Sequence, residues 1–303
     1  MLRVYWQALI IVLGPTATGK TSQAIKIAQF FHTEIVSADS RQFYRELKIG
    51  SAMPSEEELQ SVTHHLIGHL SIQQVYNVSR YEQDALSCIE KLFQKHDHVV
   101  LCGGSMLYID AVYKGMDTLP DPDPDLRNNI KKRLEEEGLQ ALQFELKRLD
   151  PEYFHTSDIK NPSRLIRALE VCIISGKPYS EQRKNIPRHR SFQSIFIGLQ
   201  LPIHQLTERI RYRTTEMIRK GLLEEARSLL AFRELNALNT VGYKEMFSCL
   251  DGNINMEEAT EKICINTRRY AKRQMTWFRR NPDIQWFLPS STEDILHYIR
   301  QQG

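Results

Sequence analysis

No apolar run in this chain exceeds six residues. The longest, Ala8 to Leu13, falls far short of the roughly 20 residues that cross a bilayer as a helix, so no membrane span is expected. Cysteine is sparse and scattered. Cys88, Cys102, Cys172, Cys249 and Cys264 never form a C-x-x-C pair, which argues against structural zinc and a disulfide framework and points to a reducing cytoplasm. No unit recurs with a period of about 20 to 50 residues, which excludes a repeat array. An excess of one charge sign is lacking as well: 40 basic against 37 acidic residues leave +3, too little to imply a nucleic-acid partner by itself. The opening MLRVYWQALIIVLGP has no small-residue cleavage site, so a secretory leader is not expected.

What is present suits an ordinary soluble protein. The chain has 303 residues, with 41% hydrophobic and 25% charged residues, a mass of 35.4 kDa and a mean hydropathy of −0.43. That is enough for one large domain, or for a core carrying a smaller one, and it excludes disorder as the main state. Ala8 to Leu13 reads as a buried parallel strand closed by glycine and proline. The spacing of Ala24, Ile27, Ala28 and Phe31 predicts a helix over Thr21 to Phe31. Further strands are expected at Glu34 to Ala38, Val99 to Cys102 and Ser194 to Leu199, with a helix over Ser79 to Lys95. Its start has the capping-box spacing Ser79 to Glu82, and its inward stripe is Tyr81, Ala85, Ile89, Leu92 and Phe93. Strands alternating with helices indicate a three-layer α/β core around a parallel sheet.

The pattern breaks at LPDPDPD, Leu119 to Asp125, which can continue neither strand nor helix. Helical stretches follow over Leu126 to Leu149 and Pro162 to Ser175, the second with proline in its first turn and Gly176 past its end. A polar, basic stretch from Glu181 to Arg190 leads back to the strand at Ser194. The expected division is therefore a core of 1–120 plus 190–303 and a helical insertion domain, 121–189. From His204 onward the pattern reads as helical throughout. It ends in a long helix that starts near Asn255, capped with Glu258, and stops before Asn281-Pro282.

GPTATGKT, comprising Gly14, Pro15, Thr16, Ala17, Thr18, Gly19, Lys20 and Thr21, matches G-x-x-x-x-G-K-[ST] between a predicted strand and a predicted helix. Backbone N–H groups of such a loop converge on phosphate oxygens, Lys20 neutralises a terminal phosphate, and the Thr21 hydroxyl suits Mg²⁺. The motif leaves open which phosphate compound binds. The strand Val99 to Cys102 leads into CGGSMLY without a carboxylate, which weighs weakly against nucleotide hydrolysis. Gly103 and Gly104 either let a ligand approach the backbone or simply serve a tight turn, and Ser105 offers a hydroxyl to a phosphate. Asp39, the first carboxylate after the second strand, should lie in the crevice at the strand ends. There it can hold metal, cap a helix or take a proton. From Lys262 to Arg280 the last long helix carries seven cations and no carboxylate, interleaved with Tyr270, Trp277 and Phe278. Arg269, Lys272, Arg273 and Arg280 fall along one side, a stripe suited to a phosphate backbone.

Together these motifs resemble the tRNA dimethylallyltransferases of bacterial type. The motifs are GPTATGKT, SADSRQFY (Ser37 to Tyr44), HHLI (His64 to Ile67), CGGSMLY, SRLIRALEV (Ser163 to Val171), VGYKE (Val241 to Glu245) and TRRYAKRQMTWFRR (Thr267 to Arg280). The resemblance implies a P-loop NTPase-like core whose loop holds the pyrophosphate of dimethylallyl diphosphate instead of ATP. It implies Asp39 as general base toward N6 of the adenosine adjacent 3′ to the anticodon, in tRNAs reading codons that begin with U. The products are N6-(dimethylallyl)adenosine and diphosphate. By the same resemblance, Lys20, Thr21, Ser105 and Arg213 form the pyrophosphate and metal group, with Mg²⁺ as cofactor. Asp39, Ser40, Arg41 and Gln42 meet the adenine and its neighbours. Arg127 and Ser163, Arg164, Leu165, Ile166 and Arg167 of the insertion touch the anticodon stem-loop, and the helix from Thr267 lines the channel. A cytoplasmic monomer is expected.

The chain departs from the family pattern at IGSAMP (Ile49 to Pro54), where Met53 replaces a usual lysine, and at IKNPS (Ile159 to Ser163). A zinc-finger extension like that of eukaryotic members is not expected. The alternatives are an adenylate prenyltransferase acting on free nucleotide, a small-molecule kinase, and a non-catalytic P-loop RNA-binding protein. The first has less need of an insertion and an arginine-rich helix. The intact Lys20, Thr21, Asp39 and Arg213 weigh against the third.

Overall fold

The computed structural model describes residues 7–184 and 186–302. The opening six residues, on which part of the leader expectation falls, and Asn185 of the basic stretch lie outside them. In chain order, the first half of the core comprises β1 (Ala8–Leu13), α1 (Lys20–Phe30), β2 (Ile35–Ser37), α2 (Glu56–Ser61), β3 (His64–His65), α3 (Val78–Phe93), β4 (His98–Cys102) and α4 (Met106–Lys114). The insertion contributes α5 (Pro124–Glu137), α6 (Leu139–Leu149), α7 (Pro151–Thr156), α8 (Pro162–Ser175) and α9 (Tyr179–Gln182). The chain then returns through β5 (Gln193–Leu199), α10 (Ile203–Arg219), α11 (Leu222–Ser228), α12 (Tyr243–Leu250), α13 (Met256–Phe278), β6 (Gln285–Phe287) and α14 (Thr292–Gln302).

The six strands form one parallel sheet in the order β3-β2-β4-β1-β5-β6. β1 is buried along its whole length and pairs with β4 on one edge and β5 on the other. Successive side chains of a strand point to opposite faces. Leu9, Ile11 and Leu13 accordingly join a cluster with Tyr81, Ala85 and Ile89 of α3 and Ile109 and Val112 of α4. Ala8, Ile10 and Val12 pack instead with Ala24, Ile27 and Ala28 of α1 and Ile295 and Ile299 of α14. Apolar residues in both parities thus make three layers, and the expected inward stripe of α3 is buried throughout.

Three sequence expectations are corrected. The cap of α3 is Asn77, whose side chain accepts from the Arg80 N–H. Glu82 is not in a capping box but buried, paired with Arg190 at 2.7 Å. The stretch Leu126 to Leu149 is two helices, because Gly138 has a positive φ of 80° and turns the chain between α5 and α6. The region beyond His204 is not wholly helical: β6 adds to the sheet beside β5. By contrast, α8 has the expected bounds, with Gly176 left-handed at its end, and α13 starts at an Asn255–Glu258 capping box.

The chain divides into two compact units, Lys114–Arg188 and the remainder on either side. The smaller unit has its own core of Ile130, Leu142, Leu146, Tyr153, Leu165, Leu169 and Cys172. Its two ends meet where the Arg188 N–H donates to the Lys114 carbonyl at 2.7 Å. No helix among the described residues is long and apolar enough to cross a membrane.

Candidate active site at the phosphate loop

The loop between β1 and α1 is held in an unusual backbone shape. Gly14, Ala17 and Gly19 have φ of 141°, 66° and 89°, and Gly14 lies against the Leu199 carbonyl with no room for a Cβ. Ala17 in this region is strained, a cost that tends to be retained where backbone N–H groups must converge. The Thr18 hydroxyl and the Lys20 ammonium both donate to the Pro15 carbonyl, at 2.8 and 2.9 Å. Burial drives the Lys20 pKa down to about 8, while the charges of Cys102 and Asp39 oppose the fall and that of Arg213 adds to it. The Thr21 hydroxyl sits on the first turn of α1, half-buried.

A buried glutamine that sequence reasoning missed ties this loop to α13. Gln274 Oε1 accepts from the Thr16 N–H at 2.9 Å, and Gln274 Nε2 donates to the Gly104 carbonyl at 2.7 Å. Gly104 has no room for a Cβ beside that amide, and Gly103 has none against the backbone of Ala38. The glycine pair is therefore filled by the protein's own groups, not by space for a ligand.

Asp39 follows β2 in a turn. Its Oδ1 accepts from the Arg41 N–H at 3.0 Å, and its carbonyl accepts from the Gln42 N–H at 3.1 Å. Oδ2 has no hydrogen-bond partner among the described residues, and Asp39 belongs to the lining of a cavity. Both the turn and the open carboxylate oxygen are thus realised. Ser105 is committed elsewhere than expected: its hydroxyl accepts from the Ser40 N–H at 2.8 Å and donates to the Ser40 hydroxyl at 3.1 Å. It braces the Asp39–Gln42 segment. Gln42 is not part of the cavity lining, and its amide donates to the Ala52 carbonyl at 3.0 Å. Arg41 does line the cavity and is anchored on the Asn236 and Ala237 carbonyls at 2.9 and 3.1 Å.

The cavity holds about 540 Å³, and Thr16, Asp39, Ser40, Arg41, Ser105, Arg213, Tyr270 and Arg273 stand around it. Burial disfavours the charge on Arg213, and the Asp39 carboxylate offsets that. Burial also raises the Tyr270 hydroxyl to about 12, with the Asp39 charge adding to it. An anionic group entering here meets Arg213, whose charge burial disfavours and Asp39 offsets, which is an attractive setting for it. Glu245 closes the far wall, accepting from Gly242 N–H at 2.8 Å and from the Asn266 amide at 2.7 Å. Among the described residues no cluster of three or more His, Cys, Asp or Glu side chains could hold a metal ion alone.

The cations of α13 do not form one stripe. Arg273 lines the cavity and sits 5.7 Å over the Tyr270 ring. Arg269 and Lys272 instead line a second groove of about 630 Å³ with Arg268 and Arg279, over an apolar floor that includes Leu206 and Met275. Arg280 stacks 5.3 Å over Trp277, whose indole N–H donates to Asp110. Phe278, expected to interleave with the cations, is buried in the core. The cations of α13 border two spaces at once, which spacing alone did not separate.

In the smaller unit, Arg127 and Arg167 both pair with the fully buried Glu170, at 2.5 and 2.8 Å. Leu165 and Ile166 are buried in its core, so their side chains are not available to a partner. Ser163 and Arg164 are exposed.

The model of the IPP transferase family matches residues 42–281. The tRNA dimethylallyltransferase of Christiangramia forsetii is 50% identical over 295 residues, covering 97% of this chain and 98% of that protein. The tRNA dimethylallyltransferase 1 of Bacteroides thetaiotaomicron is 47% identical over 295 residues, covering 97% and 96%. Among solved structures, the full-length tRNA isopentenylpyrophosphate transferase of Bacillus halodurans superposes with a TM-score of 0.71 at 33% identity, covering 98% of this chain and 96% of that one. A eukaryotic dimethylallyltransferase acting on tRNA shares the fold, with a TM-score of 0.77 at 23% identity, covering 93% and 73%.

Proposed function

This chain belongs to the IPP transferase family, and on that premise we propose that it is a tRNA dimethylallyltransferase. It moves a dimethylallyl group from dimethylallyl diphosphate to N6 of the adenosine 3′ to the anticodon, as a cytoplasmic monomer. The observation that carries the reading is the cavity whose lining brings together Asp39, Arg213 and Thr16 of the phosphate loop.

The chemistry needs both features. An exocyclic adenine amine is a weak nucleophile because its lone pair is delocalised into the ring, so a base held close to it raises the rate. Asp39 Oδ2 accepts the N6 proton as the N–C bond forms and the allylic C–O bond breaks. The departing diphosphate is stabilised by Arg213, by the loop N–H groups and by Lys20, which exchanges the Pro15 carbonyl for a phosphate oxygen. The Thr21 hydroxyl together with the donor's phosphates suits Mg²⁺, which favours oxygen ligands and keeps part of its water shell. When bound, the ion adds positive charge beside the leaving group. A stacked adenine cannot reach Asp39, so the base leaves its stack to enter the cavity.

RNA is held by charge and shape. Arg273 serves at the cavity, Arg269 and Lys272 elsewhere on α13, Arg280 just past its end, and Ser163 and Arg164 on the insertion. Arg127 and Arg167 contribute by shaping the insertion through Glu170. Incubating bulk tRNA with the protein, dimethylallyl diphosphate and Mg²⁺, then analysing nucleosides by mass, should show N6-(dimethylallyl)adenosine. Its absence from tRNA known to carry an unmodified acceptor adenosine would overturn the reading.

A further inference from the structure

Glu225, on α11, lies outside every motif of the site, yet its carboxylate makes more contacts than any surface ion pair requires. It accepts from three successive backbone N–H groups: Lys48 at 3.0 Å, Ile49 at 2.9 Å and Gly50 at 2.9 Å. It also accepts from the Tyr243 hydroxyl at 2.6 Å. Successive N–H groups that converge in this way make an anion-binding concavity. Here the anion is a side chain of the protein itself.

The loop so gripped forms part of the cavity. Gly50 and Ser51 are lining residues, and Gly50 packs on the Tyr243 ring with no room for a Cβ. Two backbone bonds, Ala52 N–H to the Ile49 carbonyl at 2.9 Å and Met53 N–H to the Lys48 carbonyl at 3.0 Å, stiffen the turn. Its Ala52 carbonyl then receives the Gln42 amide at 3.0 Å. The Gln42 N–H in turn donates to the Asp39 carbonyl at 3.1 Å. An unbroken series of hydrogen bonds therefore runs from Glu225 through the 48–52 loop and Gln42 to the Asp39 turn.

We propose that Glu225 is a positioning residue for the acceptor side of the reaction, fixing the cavity wall at Gly50–Ser51 and the orientation of Asp39. It touches no reacting atom. The phosphate loop is held by other groups, Gln274 and the Pro15 carbonyl, so the donor side is independent of Glu225. The assignment rests on the prenyl-transfer reading above.

Glu225→Gln keeps the size of the side chain but replaces one acceptor oxygen with a donor facing N–H groups. Steady-state transfer to tRNA should show a higher KM for tRNA and kcat lower by roughly tenfold, with KM for dimethylallyl diphosphate unchanged. Tyr243→Phe removes only one of the four donors and should shift the same two parameters in the same direction by less. It serves as the test if Glu225→Gln fails to fold. Equal losses for both substrates, or wild-type kinetics in a variant with an unchanged Tm, would overturn the assignment. Wild-type protein is assayed alongside: a wild type that transfers nothing overturns the functional reading and this assignment with it. Transfer by wild type with no tRNA-selective defect in the variants overturns the assignment alone.

Discussion

The Gln274 side-chain oxygen lies 2.9 Å from the backbone nitrogen of Thr16, so a helix near the end of the chain holds the phosphate loop near its start. The same amide reaches the Gly104 carbonyl at 2.7 Å. One buried side chain therefore sets the distance between the two turns that follow β1 and β4.

Gln274→Leu should leave the Thr16 N–H and the Gly104 carbonyl without partners. Each unsatisfied buried group costs on the order of 1–3 kcal/mol, so a clear drop in Tm is expected. Among molecules that remain folded, KM for dimethylallyl diphosphate should rise while Kd for tRNA holds. A variant whose donor KM matches wild type would show that the loop keeps its shape unaided.

Asp39→Asn retains an Oδ1 acceptor for the Arg41 N–H and removes the base. Its single-turnover rate of prenyl transfer should fall by ~10²-fold or more, with tRNA binding nearly unchanged. Asp39→Ala loses the turn contact as well and should be no faster. A near wild-type rate for Asp39→Asn would remove Asp39 from the proton transfer.

Lys20 carries a pH signature. Its pKa falls from 10.5 to about 8 on burial. Below about pH 8 the ammonium is charged whether folded or unfolded, and its burial opposes folding in full. As pH rises from there toward the unfolded value, the folded chain gives up its proton first and the penalty fades. Lys20→Met should therefore raise stability at neutral pH by about 2 kcal/mol, after allowance for the lost bond to Pro15. That gain should shrink steadily in melting scans above about pH 8. Wild-type affinity for inorganic diphosphate should decline over the same interval. A gain independent of pH would mean that Lys20 is not penalised by burial.

The two faces of α13 can be separated by salt. Arg268→Ala with Lys272→Ala should flatten the salt dependence of tRNA Kd by roughly two units of slope if both meet phosphates. Arg273→Ala should change the slope by about one unit and also lower kcat, because it stands at the cavity. Donor KM should not move in the first variant. An unchanged slope there, with Tm intact, would take the second groove out of RNA binding.

Glu170→Gln addresses the insertion. Removing one partner of a buried ion pair costs roughly 3–5 kcal/mol, here with two arginines left short of charge. Thermal melting and limited proteolysis should report loosening confined to 114–188, and Arg127→Ala should look the same. If Arg127→Ala weakens tRNA binding with the insertion fully stable, Arg127 is a contact and not a brace.

Much of this was legible beforehand, for identifiable reasons. β1 and α8 have the bounds read from the sequence because glycine and proline punctuate both. β3 and β6 escaped because strands of two and three residues carry no period; their partners define them. The motif residues of the phosphate loop and Asp39 were found because their types announce their chemistry, whereas Arg213 came only with the family resemblance. Gln274 and Glu225 were not, since each works on backbone N–H groups brought close only by the fold. The opposite error arose at Leu165 and Ile166, where a motif counted as a surface is partly a core.

The meeting of Lys114 and Arg188 has a consequence for how such a protein can change. β4 and β5 each take their place by pairing with β1, and neither pairing depends on the length of chain that joins them. A segment that leaves and rejoins at one hydrogen bond can lengthen, shrink or be exchanged without moving a strand out of register. Exchanging 114–188 would therefore leave the pairing of β1 with β4 and β5 as it is. A short glycine-rich bridge in place of 114–188 should give a folded sheet with its phosphate loop intact.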